Sequence, residues 1–220
     1  MSAIYPLDGY EGVFTDGDRL YTKNSAPGKT VYGEKLATVD DVQYREWIPT
    51  RSKLAAYIKV GGRFFPFRRD SKVLYLGAAS GTTASHVADI VTEGVVFCVE
   101  FSPRSFRDLV PVCESRPNMV PFLADATKPQ EYSFGVSGVD VLYQDIAQKG
   151  QASIFSKIFK EFSAPAGLLV IKSRSEDVSL DPVHVYEESK KQLRAAGLQV
   201  REVVQLDPLE KDHAMMAVER

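Results

Sequence analysis

The sequence predicts an α/β protein, a doubly wound and mostly parallel sheet with a small, mostly β domain in front of it. From Asp70 onward, short apolar strands alternate with helical segments, as in a parallel sheet covered on both faces. Before residue 50 the texture differs. Gly9, Gly12, Gly17, Gly28 and Gly33 punctuate short stretches rich in Val, Tyr and Thr. The chain therefore divides into residues 1–49 and 50–220. Its 220 residues suit one domain of ~150 residues with a small companion and exclude a large multidomain machine.

In the first region, Asp16-Gly17 lies between Gly12–Thr15 and Arg19–Thr22 and predicts a hairpin, because Asp-Gly suits a turn with positive φ. Val31-Tyr32 and Val39–Tyr44 read as further strands. Arg51–Lys59 reads as a helix capped by Thr50 and stopped by Gly61-Gly62. Strands follow at Val73–Leu76, Val95–Val99, Val120–Leu123, Val139–Tyr143 and Leu168–Ile171. The intervening helices are Thr82–Val91, a segment opened by Ser102-Pro103 and running to Glu114, and Gln151–Phe162. Asp181-Pro182 opens a last helix to Ala196, with Gly197 as its C′ residue. Leu198–Leu206 and Ala214–Val218 close the chain as an antiparallel pair.

Composition narrows the function. Charged residues make up 25% and the net charge is −2, so the chain is no uniformly basic nucleic-acid coat, although a local basic patch remains open. Two cysteines, Cys98 and Cys113, with no CxxC, argue against a disulfide scaffold or a multi-cysteine metal site. The N-terminus lacks the order of a signal peptide and no apolar run is long enough to span a bilayer, so we expect a soluble, cytoplasmic protein without membrane partners. Three scattered histidines give no metal-ligand pattern. His86 reads as helix packing and His184 as structural or surface.

The chemistry concentrates after the strands. Gly77-Ala78-Ala79-Ser80-Gly81-Thr82-Thr83 joins the first strand of the sheet to its helix with small residues that let a ligand approach the backbone. Ala79 stands where a dinucleotide fingerprint has its second glycine, which weakens a diphosphate clamp and favours a nucleoside cofactor without one. Glu100 ends the next strand roughly 20 residues on, where an acid accepts both ribose hydroxyls; that spacing also fits NAD. Asp125-Ala126 and Asp145 follow the third and fourth strands and should share the same edge, Asp125 near an adenine amino group and Asp145 nearer the reacting end.

These words resemble the signature of the fibrillarin family. The likeness runs from Leu76 to Val87, through Val99-Glu100-Phe101-Ser102-Pro103-Arg104, Leu123-Ala124-Asp125-Ala126, Asp145-Ile146-Ala147-Gln148 and Ile171-Lys172-Ser173-Arg174-Ser175, to Glu210-Lys211-Asp212-His213-Ala214. It implies an S-adenosylmethionine-dependent RNA 2′-O-methyltransferase with a seven-stranded Rossmann-like sheet, needing no metal. The implied partners are a box C/D guide RNA, the target rRNA or tRNA, a coiled-coil scaffold protein and a kink-turn-binding protein. No Gly/Arg-rich tail precedes the domain, so the resemblance is to the archaeal form.

The resemblance further implies Gly77, Ala79, Gly81, Thr82, Thr83, Glu100, Phe101, Asp125, Ala126, Asp145 and Gln148 around the cofactor. Lys53, Asp145, Lys172 and His213 would form the catalytic group. Lys172 would accept or orient the hydroxyl proton, or as an ammonium stabilise oxygen charge; both roles stay open. Asp145 would pair with it, Lys53 bind the ribose or adjacent phosphate, and His213 orient Lys172. For RNA contact the candidates are Arg51, Arg63, Arg68, Arg69 and Arg174. Phe64, Phe65 and Phe67, interleaved with the basic residues, either stack on bases or pack a seam between the two domains.

Overall fold

A computed structural model describes residues 3–220. Its first part is a five-stranded antiparallel sheet in the order β1-β2-β3-β5-β4, formed by β1 (Tyr5–Pro6), β2 (Val13–Thr15), β3 (Leu20–Lys23), β4 (Leu36–Val39) and β5 (Val42–Trp47). The Asp16-Gly17 hairpin pairs Val13 with Thr22, and Gly17 takes φ +99°. Asp16 Oδ1 accepts from the Asp18 and Arg19 amides and holds the turn.

Two strand expectations fail here for local polar reasons. Val31-Tyr32 is not a strand, because both amides turn onto the Glu34 carboxylate instead of a neighbouring strand. Val39–Tyr44 is broken by a two-residue turn, Asp40-Asp41, with both residues at positive φ, so it supplies the end of β4 and the start of β5. The helix cap also moves. Pro49–Arg51 forms a 3₁₀ turn and α1 runs Lys53–Lys59, capped by Ser52, whose hydroxyl accepts from Ala55 N at 3.3 Å.

The second part is a seven-stranded sheet in the order β11-β12-β10-β9-β6-β7-β8. Its strands are β6 (Lys72–Leu76), β7 (Val95–Glu100), β8 (Met119–Leu123), β9 (Val141–Gln144), β10 (Ala166–Lys172), β11 (Gln199–Gln205) and β12 (His213–Glu219). β12 alone runs against the direction of the other six strands. Pro121 is tolerated because β8 is an edge strand. The helices are α2 (Thr82–Ile90), α3 (Pro103–Glu114), α4 (Gln151–Glu161), the short α5 (Ser173–Glu176) and α6 (Pro182–Ala195).

Strand alternation splits the core into two layers. Val73 and Tyr75 face one cluster with α1, α2 and α3, while Leu74 and Leu76 face the other with α4 and α6. The chain builds outward from β6 through β7 to β8, then returns to lay β9 on the other flank of β6. That reversal puts the topological switch point between β6 and β9, where open α/β sheets bind ligands.

A sealed polar cluster joins the small sheet to α2. Arg45 of β5 contacts Glu34 at 2.6 Å and Asp89 at 2.7 Å, and Arg116 reaches Asp89 at 3.3 Å. His86 is buried, as expected of a packing residue. It stacks on Trp47 and bonds Thr22 through Nδ1 and the Tyr32 hydroxyl through Nε2, both at 2.8 Å. Burial, with the neighbouring charges of Arg45 and Arg116, drives its pKa well below the ordinary histidine value.

Candidate active site at the switch point

Gly77 and Asp145 follow the two strands that flank the switch. The amides of Gly77 and Ala78 both donate to Val99 O, folding the loop over the end of β7. A Cβ on Gly77 would lie 2.6 Å from the Asp145 carbonyl oxygen, and φ is +83°, so only glycine permits this approach. Ala79 also takes positive φ, +49°, and its N–H donates to Glu100 Oε2 at 2.8 Å. Ser102 N donates to Oε1 at 2.7 Å. Glu100, 8% exposed, is thus fixed by one amide on each oxygen, and each oxygen can still accept another hydrogen bond.

These residues wall a cavity of about 330 Å³ with Phe101, Asp125, Ala126, Asp145, Gln148 and Lys172. A shallower depression of about 700 Å³ lies along Pro6–Phe14, but it brings together no paired lysines and carboxylates and is remote from the switch point. Phe101 is an exposed ring at the cavity. Partial burial would raise the Asp125 carboxyl, but the Thr127 amide and hydroxyl, with Lys128 nearby, hold it below the usual range. Gly81, Thr82 and Thr83 open α2 behind this wall. A Cβ on Gly81 would meet Leu109 at 3.0 Å, and the Thr83 hydroxyl donates to Ser52 at 3.0 Å, tying α2 to α1.

The four residues proposed for chemistry converge. Asp145 takes Lys172 Nζ on Oδ1 at 2.7 Å and Lys53 Nζ on Oδ2 at 3.2 Å. The Lys172 contact to the carboxylate is an ion pair; its directed hydrogen bond goes to the Asp145 carbonyl at 3.2 Å. The three side chains are 14–19% exposed, partly dry and still reachable. His213 pairs across strands with Lys172 in the β10/β12 register. Its Nδ1 lies 2.7 Å from Lys211 O, so Nδ1 carries the proton and Nε2 keeps its lone pair. Burial and the charge of Lys53 lower its pKa, which favours the neutral ring. The Lys172 ammonium donates to Asp145, whereas the His213 ring bonds Lys211 and not Lys172.

The basic candidates separate. Arg51 precedes α1 and lies over the Tyr32 ring; Arg174 follows Lys172 and bonds Asp212 at 3.0 Å. Each lies two residues from a lysine that pairs with Asp145, Arg51 from Lys53 and Arg174 from Lys172. Arg68 and Arg69 lie before β6, at the opposite edge of the sheet, in pairs with Glu11 and Glu93. Arg63 is held through its amide to Glu202 on β11. Phe65 and Phe67 are buried and Phe64 is partly buried against the same core, so these rings pack and are not free to stack on bases. Sequence reasoning missed Ser52, although a serine before an amphipathic run is a cap signal. It also missed Ile146 in the cavity wall, an apolar residue with no chemical signature.

A seven-stranded sheet of this order, with one reversed strand and a nucleoside-sized cavity at its switch point, defines a Rossmann-like methyltransferase fold. The chain belongs to the fibrillarin family, whose model, described as Fibrillarin, matches residues 4–220. A fibrillarin-like rRNA/tRNA 2′-O-methyltransferase of Methanopyrus kandleri is 49% identical over 224 residues, covering 98% of this chain and 97% of that protein. Among solved structures, Aeropyrum pernix fibrillarin in complex with natively bound S-adenosyl-L-methionine superposes with a TM-score of 0.90 at 42% identity, covering 98% of this chain and 97% of that one. A fibrillarin/Nop5p complex superposes at 0.84 with 40% identity, covering 100% and 98%. No group of three or more His, Cys, Asp or Glu that could hold a metal occurs among the described residues, and no described helix is long and apolar enough to cross a membrane.

Proposed function

We propose that this chain methylates the 2′-hydroxyl of ribose in rRNA and tRNA with S-adenosylmethionine, as the catalytic subunit of a ribonucleoprotein. The observation that carries the reading is Asp145 bridging Lys53 and Lys172 beside a cavity walled by Gly77, Ala79 and Glu100. The cavity suits the methyl donor. Its volume is that of a small-molecule site, Gly77 leaves no side chain at the strand crossing, and Glu100 keeps acceptor capacity for two ribose hydroxyls. Glu100 would hold the ribose, Asp125 and Ala126 the base, Phe101 its exposed face, and Gln148 the methionyl end. Gly81, Thr82 and Thr83 shape the loop from behind.

When bound, S-adenosylmethionine supplies an electrophilic methyl group on a sulfonium. The chain must then fix the ribose oxygen and manage its proton. Asp145 keeps the two ammonium groups on one carboxylate. Lys172 orients the hydroxyl and stabilises negative charge growing on its oxygen. Lys53 holds the ribose or the adjacent phosphate. His213, neutral and one strand over, offers the lone pair that an ammonium lacks. Arg51 and Arg174, beside the lysines, are placed for phosphates; Arg63, Arg68 and Arg69 would act only at a second surface.

A scaffold protein, as in the fibrillarin/Nop5p complex, is the first partner of this reading. A box C/D guide RNA and a kink-turn-binding protein complete it, because a chain of net charge −2 needs help to hold a polyanion and the guide supplies the register. We place the assembly in the cytoplasm of an archaeal cell, without a metal.

The test is methyl transfer in the assembled guide complex, preceded by calorimetric titration of the chain with S-adenosylmethionine and with NAD. Saturable binding of the methyl donor alone is expected; binding of NAD alone would overturn the reading. Lys172→Ala should lower single-turnover transfer by about 100-fold or more with donor affinity retained. A loss confined to donor affinity would show that the lysine belongs to the cofactor and not to the hydroxyl.

A further inference from the structure

Lys172 is the last residue of β10. On one flank it pairs with His213 of β12. On the other flank the parallel ladder stops early, since the last pair with β9 is Leu169 with Gln144. The peptide groups of Lys172 on that side therefore have no strand partner. Gln151, the first residue of α4, takes them both. Its Oε1 accepts from Lys172 N at 2.8 Å and its Nε2 donates to Lys172 O at 3.2 Å. One carboxamide thus replaces the missing strand, and the donor-acceptor order of a peptide fixes which end of the amide points where.

Gln151 is itself immobilised. The residue is wholly buried. Its N–H donates to Glu176 Oε1 at 2.7 Å, the Gly150 N–H donates to Glu176 Oε2 at 2.9 Å, and Gln144 Nε2 donates to Gln151 O at 2.9 Å. Gln144 of β9 and Glu176 of α5 therefore hold the backbone from which the Gln151 side chain grips Lys172.

From this geometry we infer that Gln151 is a positioning residue for methyl transfer, fixing the backbone from which the Lys172 ammonium reaches Asp145. The inference rests on the role given above to Lys172. Gln151 does not line the cavity, and its side chain bonds Lys172 and not Asp145, so its effect passes through the lysine. A lysine side chain is long and flexible, and its head is placed only if its Cα is. A misplacement of about 1 Å can lower a rate by about 100-fold.

Gln151→Glu is the informative change. It keeps the size and the acceptor for Lys172 N, but sets an oxygen against Lys172 O. The new carboxyl is wholly buried and close to the Glu176 carboxylate, so it costs stability by itself, and denaturant unfolding of the variant is measured to separate that cost from a loss of rate in the folded complex. The assay is single-turnover transfer in the assembled guide complex, with S-adenosylmethionine affinity and exchange of the Lys172 amide hydrogen measured alongside. We expect the rate to fall by about 10- to 100-fold with donor affinity changed by less than about threefold, and Lys172 amide exchange to quicken. A folded variant with a rate within about twofold of wild type, or a loss explained by donor affinity, would overturn the inference. If the glutamate variant does not fold, Gln151→Ala is put through the same measurements, and failure of both to fold makes Gln151 a folding residue and overturns it too. Wild-type complex that transfers no methyl group overturns the reading of the site itself and this inference with it.

Discussion

Asp89 and Asp145 each lie between two cationic side chains, and their surroundings differ in one decisive respect. Asp89 receives Arg45, Arg116, the Thr22 hydroxyl and both the amide and hydroxyl of Ser25, with no solvent on the carboxylate or on either arginine. Every acceptor position is used. Asp145 receives only Lys53 and Lys172, and all three side chains remain partly exposed at the rim of a cavity. The first cluster welds the small sheet to α2. The second keeps capacity for a substrate. Saturation of a carboxylate, more than the presence of charge, separates a structural ion cluster from a chemical one.

The contrast breaks most readily at Asp89. Replacing it by alanine leaves the buried Arg116 guanidinium without a counter-charge and Arg45 with Glu34 alone, and should destabilise the chain by about 3–5 kcal/mol. Asp145→Ala should shift stability by no more than about 1 kcal/mol, because its ion pairs are partly solvated, while abolishing turnover in the assembled complex. Denaturant unfolding of the two variants side by side decides this. Equal losses of stability would erase the distinction.

A second prediction uses the pH dependence of the sealed cluster. His86 has a lowered pKa in the folded chain, so above about pH 6.5 it is neutral folded and unfolded and contributes no slope. Below that value the unfolded chain takes up a proton that the folded chain refuses. Stability must therefore fall as pH falls, by up to about 1.4 kcal/mol per pH unit, until the folded pKa is reached. His86→Gln, compared with wild type between pH 7 and pH 5 in denaturant titrations, should flatten that slope. An unchanged slope would mean that other groups carry it.

The smallest effect sharpens the other side. Arg174→Ala should weaken target RNA in the assembled complex and reduce the salt slope by about one phosphate contact. Arg68→Ala, at the far edge of the sheet, should leave the slope for target RNA unchanged. Reversed results would move the RNA path to the strand-start edge.

Much of this was legible beforehand because it is local. Alternating strand and helix texture, the Asp16-Gly17 turn, the Ser102-Pro103 helix start and Gly197 at a helix end each depend on neighbouring residues and were read correctly. The failures were also local, but polar. Glu34 captured the Val31 and Tyr32 amides and Asp40-Asp41 turned the chain, because a side chain competing for backbone groups leaves no mark on hydrophobic periodicity. The loop after Gly77 and the acid at Glu100 stood out because a small-residue turn after a strand, followed about 20 residues on by a strand-end carboxylate, is the spacing of a nucleoside site.

The sequence by itself determined the fold class, the glycine loop, the strand-end acids and the family. Only the tertiary structure decided which of these meet. Lys53 reaches Asp145 from 92 residues away, His213 faces Lys172 through antiparallel register, and Gln151 grips Lys172 because β9 ends short of it. Such meetings follow from the order in which strands pack into one sheet, which is set by burial summed over the whole chain and not by any neighbouring pair of residues.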